Sequence, residues 1–218
     1  MVKKKLLLTT IVAVIVFIGL FANIASADDY VWSHVWPGTP SALAYHDGVI
    51  VGAFPSGIWM SGRYDYENWD HVWPGTPSAL AYHDGVIVGA FPSGIWMSGD
   101  EEYDQWEHVW RGTPSALAYH DGVIVGAFPS GIWMSEDEEY DEWENVWRGT
   151  PSALAYHDGV IAGAFPSGIW LCDDVEEMKW KHFHPGTPSA LVYQGGVVSG
   201  AFPSGIWVTT TLKDWMIE

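Results

Sequence analysis

The sequence predicts an all-β fold, a five-bladed β-propeller of near-identical four-stranded blades. Three observations carry that prediction: a fixed repeat, an Asp-Gly turn inside each copy, and Pro and Gly too frequent for helices. The stretch TPSALAYHDGVIVGAFPSGIW begins at Thr39 and returns unchanged at Thr76 and Thr113. A fourth copy from Thr150 differs only in carrying Ala162, and a fifth from Thr187 differs at five positions. The starting threonines lie 37 residues apart throughout, and a fixed period of this size belongs to solenoids, propellers or arrays.

Each unit reads as four strands. Residues 41–45 alternate large and small side chains and form strand A. His46-Asp47-Gly48 supplies a hairpin turn, because Asp-Gly between two apolar runs favours the turn whose twist matches the flanking strands. Residues 49–54 form strand B, Pro55-Ser56-Gly57 makes the next turn, and residues 58–61 form strand C. An acidic loop leads to strand D, residues 69–73, in which Trp69, His71 and Trp73 are expected on one face at period 2. No stretch carries an apolar pattern at i, i+3, i+4 and i+7 long enough for three helical turns. Four antiparallel strands in about 40 residues is the grammar of a propeller blade, whereas a β-helix needs shorter, parallel rungs.

The ends extend the pattern. Residues 1–27 combine Lys3, Lys4 and Lys5, an apolar run to about Phe21, and Ala25-Ser26-Ala27, which together read as a signal peptide or an uncleaved anchor. The propeller is then residues 28–218 of an exported or cell-surface chain with no further membrane span. Residues 32–36 read as a D-type strand ahead of the first A strand and are expected to complete the last blade, closing the ring. The C-terminal Trp215 stands eight residues after Trp207 where other copies have ten, so that piece departs from the pattern.

Composition narrows the partners. The net charge of −18 excludes nucleic acid, which requires a basic footprint. Cys172 is the sole cysteine, so packing alone must hold the fold. Fifteen Trp and ten Tyr supply the area, at about 150–250 Å² for each buried ring.

Gly57-Ile58-Trp59-Met60-Ser61, followed by an acidic stretch and Trp69, resembles the Asp-box or BNR-type propeller repeat, as does the run from Ser98 through Asp100 to Trp106. The run is one residue longer than that motif and lacks its Gly and Thr. The chain is similar to the highly repetitive prokaryotic propellers, and the resemblance implies the fold and a function that is sometimes lectin-like. Sialidases on related blades use an arginine cluster with unique acid and nucleophile residues, whereas Arg63, Arg111 and Arg148 are the only arginines here.

Blade grammar sorts the conspicuous residues onto two rims. The A–B turns and the acidic C–D loops share one, with four His-Asp pairs at His46, His83, His120 and His157. Imidazole and carboxylate are both metal ligands, but adjacent side chains on a strand point to opposite sides and the fifth copy has Gln194-Gly195. These histidines are therefore expected to be structural, the acidic loops to be a solvated rim, and no metal or cofactor is expected.

The opposite rim is aromatic and poor in charge, and it holds the candidate ligand-binding residues. They are Trp36, Thr39, Phe54 and Ser56; Trp73, Thr76, Phe91 and Ser93; Trp110, Arg111, Thr113, Phe128 and Ser130; and Trp147, Arg148, Thr150, Phe165 and Ser167. Arg111 and Arg148 replace Pro37 and Pro74, and Phe183 is read as the fifth copy's counterpart of the tryptophans. An aromatic ring beside hydroxyls is the chemistry of a shallow sugar site. Near-identical blades supply copies of one role, whereas catalysis needs different roles converging on one atom. The expectation is a non-enzymatic, multivalent binding module for glycans; the alternative is a structural or protein-interaction scaffold.

Overall fold

The computed structural model describes residues 33–99, 102–135, 140–175 and 177–209. The proposed leader, Trp32 and the C-terminal piece around Trp215 lie outside the described residues. Blade 1 contains β1 (Ala42–His46), β2 (Val49–Phe54), β3 (Gly57–Gly62) and β4 (Asp65–Trp73). Blade 2 contains β5 (Ala79–His83), β6 (Val86–Phe91), β7 (Gly94–Ser98) and β8 (Trp106–Trp110). Blade 3 follows with β9 (Ala116–His120), β10 (Val123–Phe128), β11 (Gly131–Ser135) and β12 (Trp143–Trp147). Blade 4 has β13 (Ala153–His157), β14 (Val160–Phe165), β15 (Gly168–Cys172) and β16 (Trp180–His184). Blade 5 has β17 (Ala190–Gln194), β18 (Val197–Phe202) and β19 (Gly205–Val208).

The molecule is an all-β, five-bladed propeller. Each blade is an antiparallel meander in chain order, with four strands in blades 1–4 and three described in blade 5. The A–B hairpin forms as its chemistry requires: Asp47 has φ 44° and Gly48 φ 83°, the paired left-handed residues of a type I′ turn, and the turn recurs at Asp84, Asp121 and Asp158. Gly57 is required for a different reason, since its φ is 126° and a Cβ there would lie 2.1 Å from the carbonyl oxygen of Trp73.

Packing explains why one sentence serves for every blade. Ile58, Ile95 and Ile132 are fully buried, as are Val51, Val88 and Val125, and each such side chain contributes about 1.5–3 kcal/mol of burial. Apolar clusters join blades 1 and 2, 2 and 3, 3 and 4, and 4 and 5. The innermost strands of all five blades surround a central cavity of about 160 Å³.

Two expectations fail here. Strand D does not keep Trp69, His71 and Trp73 on one face: Trp59 pairs with His71 but Ile58 pairs with Trp73, so Val72 is an extra residue in a β-bulge. The bulge turns Trp73 to the opposite face of the sheet, toward blade 2, while Trp59 and Trp69 face the other way. The closure assignment also fails among the described residues. Residues 33–36 form no strand, and the outer strand β19 pairs only with β18 and leaves Ile206 and Trp207 66% and 59% exposed.

Candidate functional site

The two rims are built as blade grammar requires. On one, Tyr64 and Arg63 of the C–D loop bond the Asp47 carboxylate of the A–B turn, and the Tyr64 amide donates to the Gly48 carbonyl. On the other, the B–C turn meets the end of strand D and the D–A loop: Thr76 Oγ1 donates to the Phe54 carbonyl at 2.8 Å.

The bulge makes the aromatic rim an inter-blade structure. Trp36 lies 5.1 Å from both Trp59 and Trp69 and 5.9 Å from Phe54. Trp73 reaches Trp106 of blade 2 at 5.0 Å, and Trp110 reaches Trp143 of blade 3 at 4.9 Å. Trp147 lies 6.2 Å from Trp170 and 5.2 Å from Trp180 of blade 4. Each of these strand-end tryptophans is therefore half-buried, neither core nor free platform. Phe54, Phe91, Phe128 and Phe165 are buried.

The hydroxyls carry two duties. Ser56, Ser93, Ser130 and Ser167 each accept the indole N–H of the tryptophan three residues on, at 2.9 Å. Thr113 and Thr150 donate to the Phe91 and Phe128 carbonyls of the preceding blade at 2.8 Å. Thr39, Arg111 and Arg148 are exposed. At the boundary of blades 3 and 4, Trp147, Thr150, Phe165, Ser167 and Trp170 line one groove of about 400 Å³. Four of those five residues are among the sequence candidates; Trp170 and its copies Trp59, Trp96 and Trp133 were missed, although their place in the repeat was visible.

The fifth copy corrects a misalignment. Residue 184, not 183, pairs with Ile169 as Trp73 pairs with Ile58, and His184 packs on Phe202 at 5.4 Å. Phe183 instead packs against the apolar cluster between blades 4 and 5.

The opposite rim holds what sequence reasoning missed. His46, His83, His120 and His157 stack in a ladder around the mouth of the central cavity, with successive ring centroids 4.1, 4.2 and 4.0 Å apart. Their partners come across blades: His46 Nε2 is 2.7 Å from Asp84 Oδ1, and His83 Nε2 is 2.9 Å from Asp121 Oδ1. Within a blade, His157 Nδ1 lies 3.2 Å from Asp158 Oδ2, yet that nitrogen is buried without a well-aligned hydrogen bond. Burial, and then the neighbouring imidazoles, hold His120 and His157 below the ordinary imidazole range. A hydrogen bond from His46 holds the Asp84 carboxyl low. The expectation that neighbours on a strand diverge was sound, but it left the next blade out.

No protein-family model matches this chain, and no curated protein matches it. Among solved structures it is similar to a computationally designed protein, Ika8, with TM-score 0.54, 16% identity and coverage of 78% of this chain and 57% of that one. It is also similar to a chain in a nidogen/laminin complex, with TM-score 0.63, 11% identity and coverage of 79% and 76%. A chain in the mitotic checkpoint complex matches with TM-score 0.56, 12% identity and coverage of 77% and 61%. This chain thus spans little more than half of the designed protein. Identities this low establish the β-propeller fold and nothing finer.

Proposed function

We propose that this chain is a non-enzymatic, multivalent carbohydrate-binding module, exported by its leader, whose sites are the aromatic grooves between blades. One observation carries the reading: Trp147, Trp170, Thr150 and Ser167 converge on a groove of about 400 Å³, within the ~300–1,000 Å³ range of ligand sites. Indole faces offer a surface to the apolar side of a sugar ring. The hydroxyls retain capacity, because Ser167 accepts from Trp170 and keeps its own O–H to donate, while Thr150 donates to Phe128 and keeps its lone pairs. The copies at Trp36, Trp73 and Trp110 repeat this set, and His184 makes the fifth site the weakest. Weak single sites gain about 10² to 10⁴ in avidity when several engage one glycosylated surface.

A glycan array on the purified chain tests the reading. Binding that is lost in Trp147→Ala combined with Trp110→Ala, and weakened in the fold-preserving Ser167→Ala, supports it. Absence of any bound glycan, with the chain folded, sinks it and leaves the protein-interaction scaffold as the better account. Two of the similar structures being complexes between proteins is consistent with that alternative.

A further inference from the structure

We infer that the histidine ladder at the mouth of the central cavity is a site for divalent transition-metal ions of the zinc class, holding two ions per chain. The observation is a convergence repeated in space. His46, His83 and Asp84 bring one ligand atom each to within 4.8 Å of one another, and so do His83, His120 and Asp121, and His120, His157 and Asp158. Two imidazole nitrogens and a carboxylate oxygen are the ligand set of open zinc sites, in which water or an exogenous ligand takes the fourth position. Ligand atoms at about 2.0–2.2 Å from a tetrahedral ion sit roughly 3.3 Å apart, a distance that small side-chain rotations reach from here. His46 and Asp84 already stand 2.7 Å apart.

One further feature supports binding over a merely structural ladder. The Nδ1 atom of His157 is buried without a hydrogen-bond partner, which is costly unless something else occupies it.

The stoichiometry follows from sharing. The middle triad uses His83 and His120, which belong also to the outer two, so the middle site and either outer site exclude each other. The outer triads share no residue. Saturation therefore places one ion across blades 1 and 2 and a second across blades 3 and 4, each cross-linking two blades and raising thermal stability by mass action.

The test is equilibrium dialysis of the purified chain, stripped with chelator, against Zn²⁺ alone, with metal counted by elemental analysis. Gln stands naturally at this place in the fifth copy as Gln194, so His→Gln variants are compatible with the turn. The wild type is expected to hold two equivalents. His83→Gln with His120→Gln breaks all three triads and should hold none. His46→Gln with His157→Gln leaves only the middle triad and should hold one, a result that independent sites do not give. Asp84→Asn with Asp158→Asn, which keeps the left-handed turn, should weaken the outer sites by at least about tenfold. Fewer than two equivalents in the wild type overturns the inference, as does undiminished zinc in the folded His83→Gln, His120→Gln variant.

Discussion

The two rims are written by the same repeat and end in different states of satisfaction. On the aromatic rim each hydroxyl makes a bond within the fold and keeps part of its capacity: serine takes the indole N–H and threonine reaches back to the preceding blade's carbonyl. On the histidine rim His46 and His83 bond the next blade's carboxylate, His120 and His157 lie beside their own neighbour's, and among the described residues the His157 Nδ1 atom is left without an aligned partner. A repeat can therefore pair each polar group once within the fold at one end of a strand and bring unlike groups together across blades at the other. That second arrangement arises only between copies.

The largest effect separating the rims lies in packing. Phe128 is buried between blades 2 and 3, and Phe128→Ala should cost about 3–5 kcal/mol in chemical denaturation, whereas His83→Gln on the opposite rim should cost under ~1 kcal/mol. Equal costs would mean that the histidine ladder is core and not a surface feature.

Local features were the legible ones. Strand B was placed at Val49–Phe54, where Asp-Gly precedes it and Pro-Ser-Gly follows. Strand A was one residue early, because His46 pairs with Val49 across the turn. The bulge at Val72 was invisible, since period-2 counting assumes an uninterrupted ladder, and it is the bulge that hands Trp73 to the next blade. The His46–Asp84 bond was equally out of reach, because it joins residues 38 apart through a geometry that only the assembled blades provide. His184 was different. Counting 37 from Trp147 reaches it directly, and the aromatic at Phe183 drew the reading one residue away.

A middle-sized effect tests how much the threonine links contribute to the fold. Thr113→Val strands the Phe91 carbonyl and should cost about 1–2 kcal/mol, with Ser130→Ala, which strands the Trp133 indole N–H at a more exposed place, at the lower end of about 0.5–1.5 kcal/mol. A Thr113→Val variant as stable as the wild type would show that the threonine link contributes nothing to the fold in solution.

The smallest effect is in pH. His120 and His157 have folded values below the ordinary imidazole value, so between the two the unfolded chain binds more protons. The stability that these neutral rings contribute is full above about pH 6.5 and is lost as pH falls from there toward the folded values. In chelator, Tm should drift down over that window, and His120→Gln with His157→Gln should flatten the drift. The Asp84 contribution survives this window and fades only through the carboxylate range. A Tm that rises on acidification through pH 6 would reverse the sign of the account.

The central claim is that ligand binding belongs to the groove between Trp147 and Trp170. Its most direct measurement is the set of indole N–H signals in a ¹H–¹⁵N spectrum, titrated with a glycan identified on the array. The account predicts that the Trp170 and Trp147 signals shift in step with binding, along with their copies in blades 1–3, while the imidazole signals of His46 and His83 stay in place. Saturating glycan that leaves every indole signal unmoved, or that moves only the histidine rim, contradicts it.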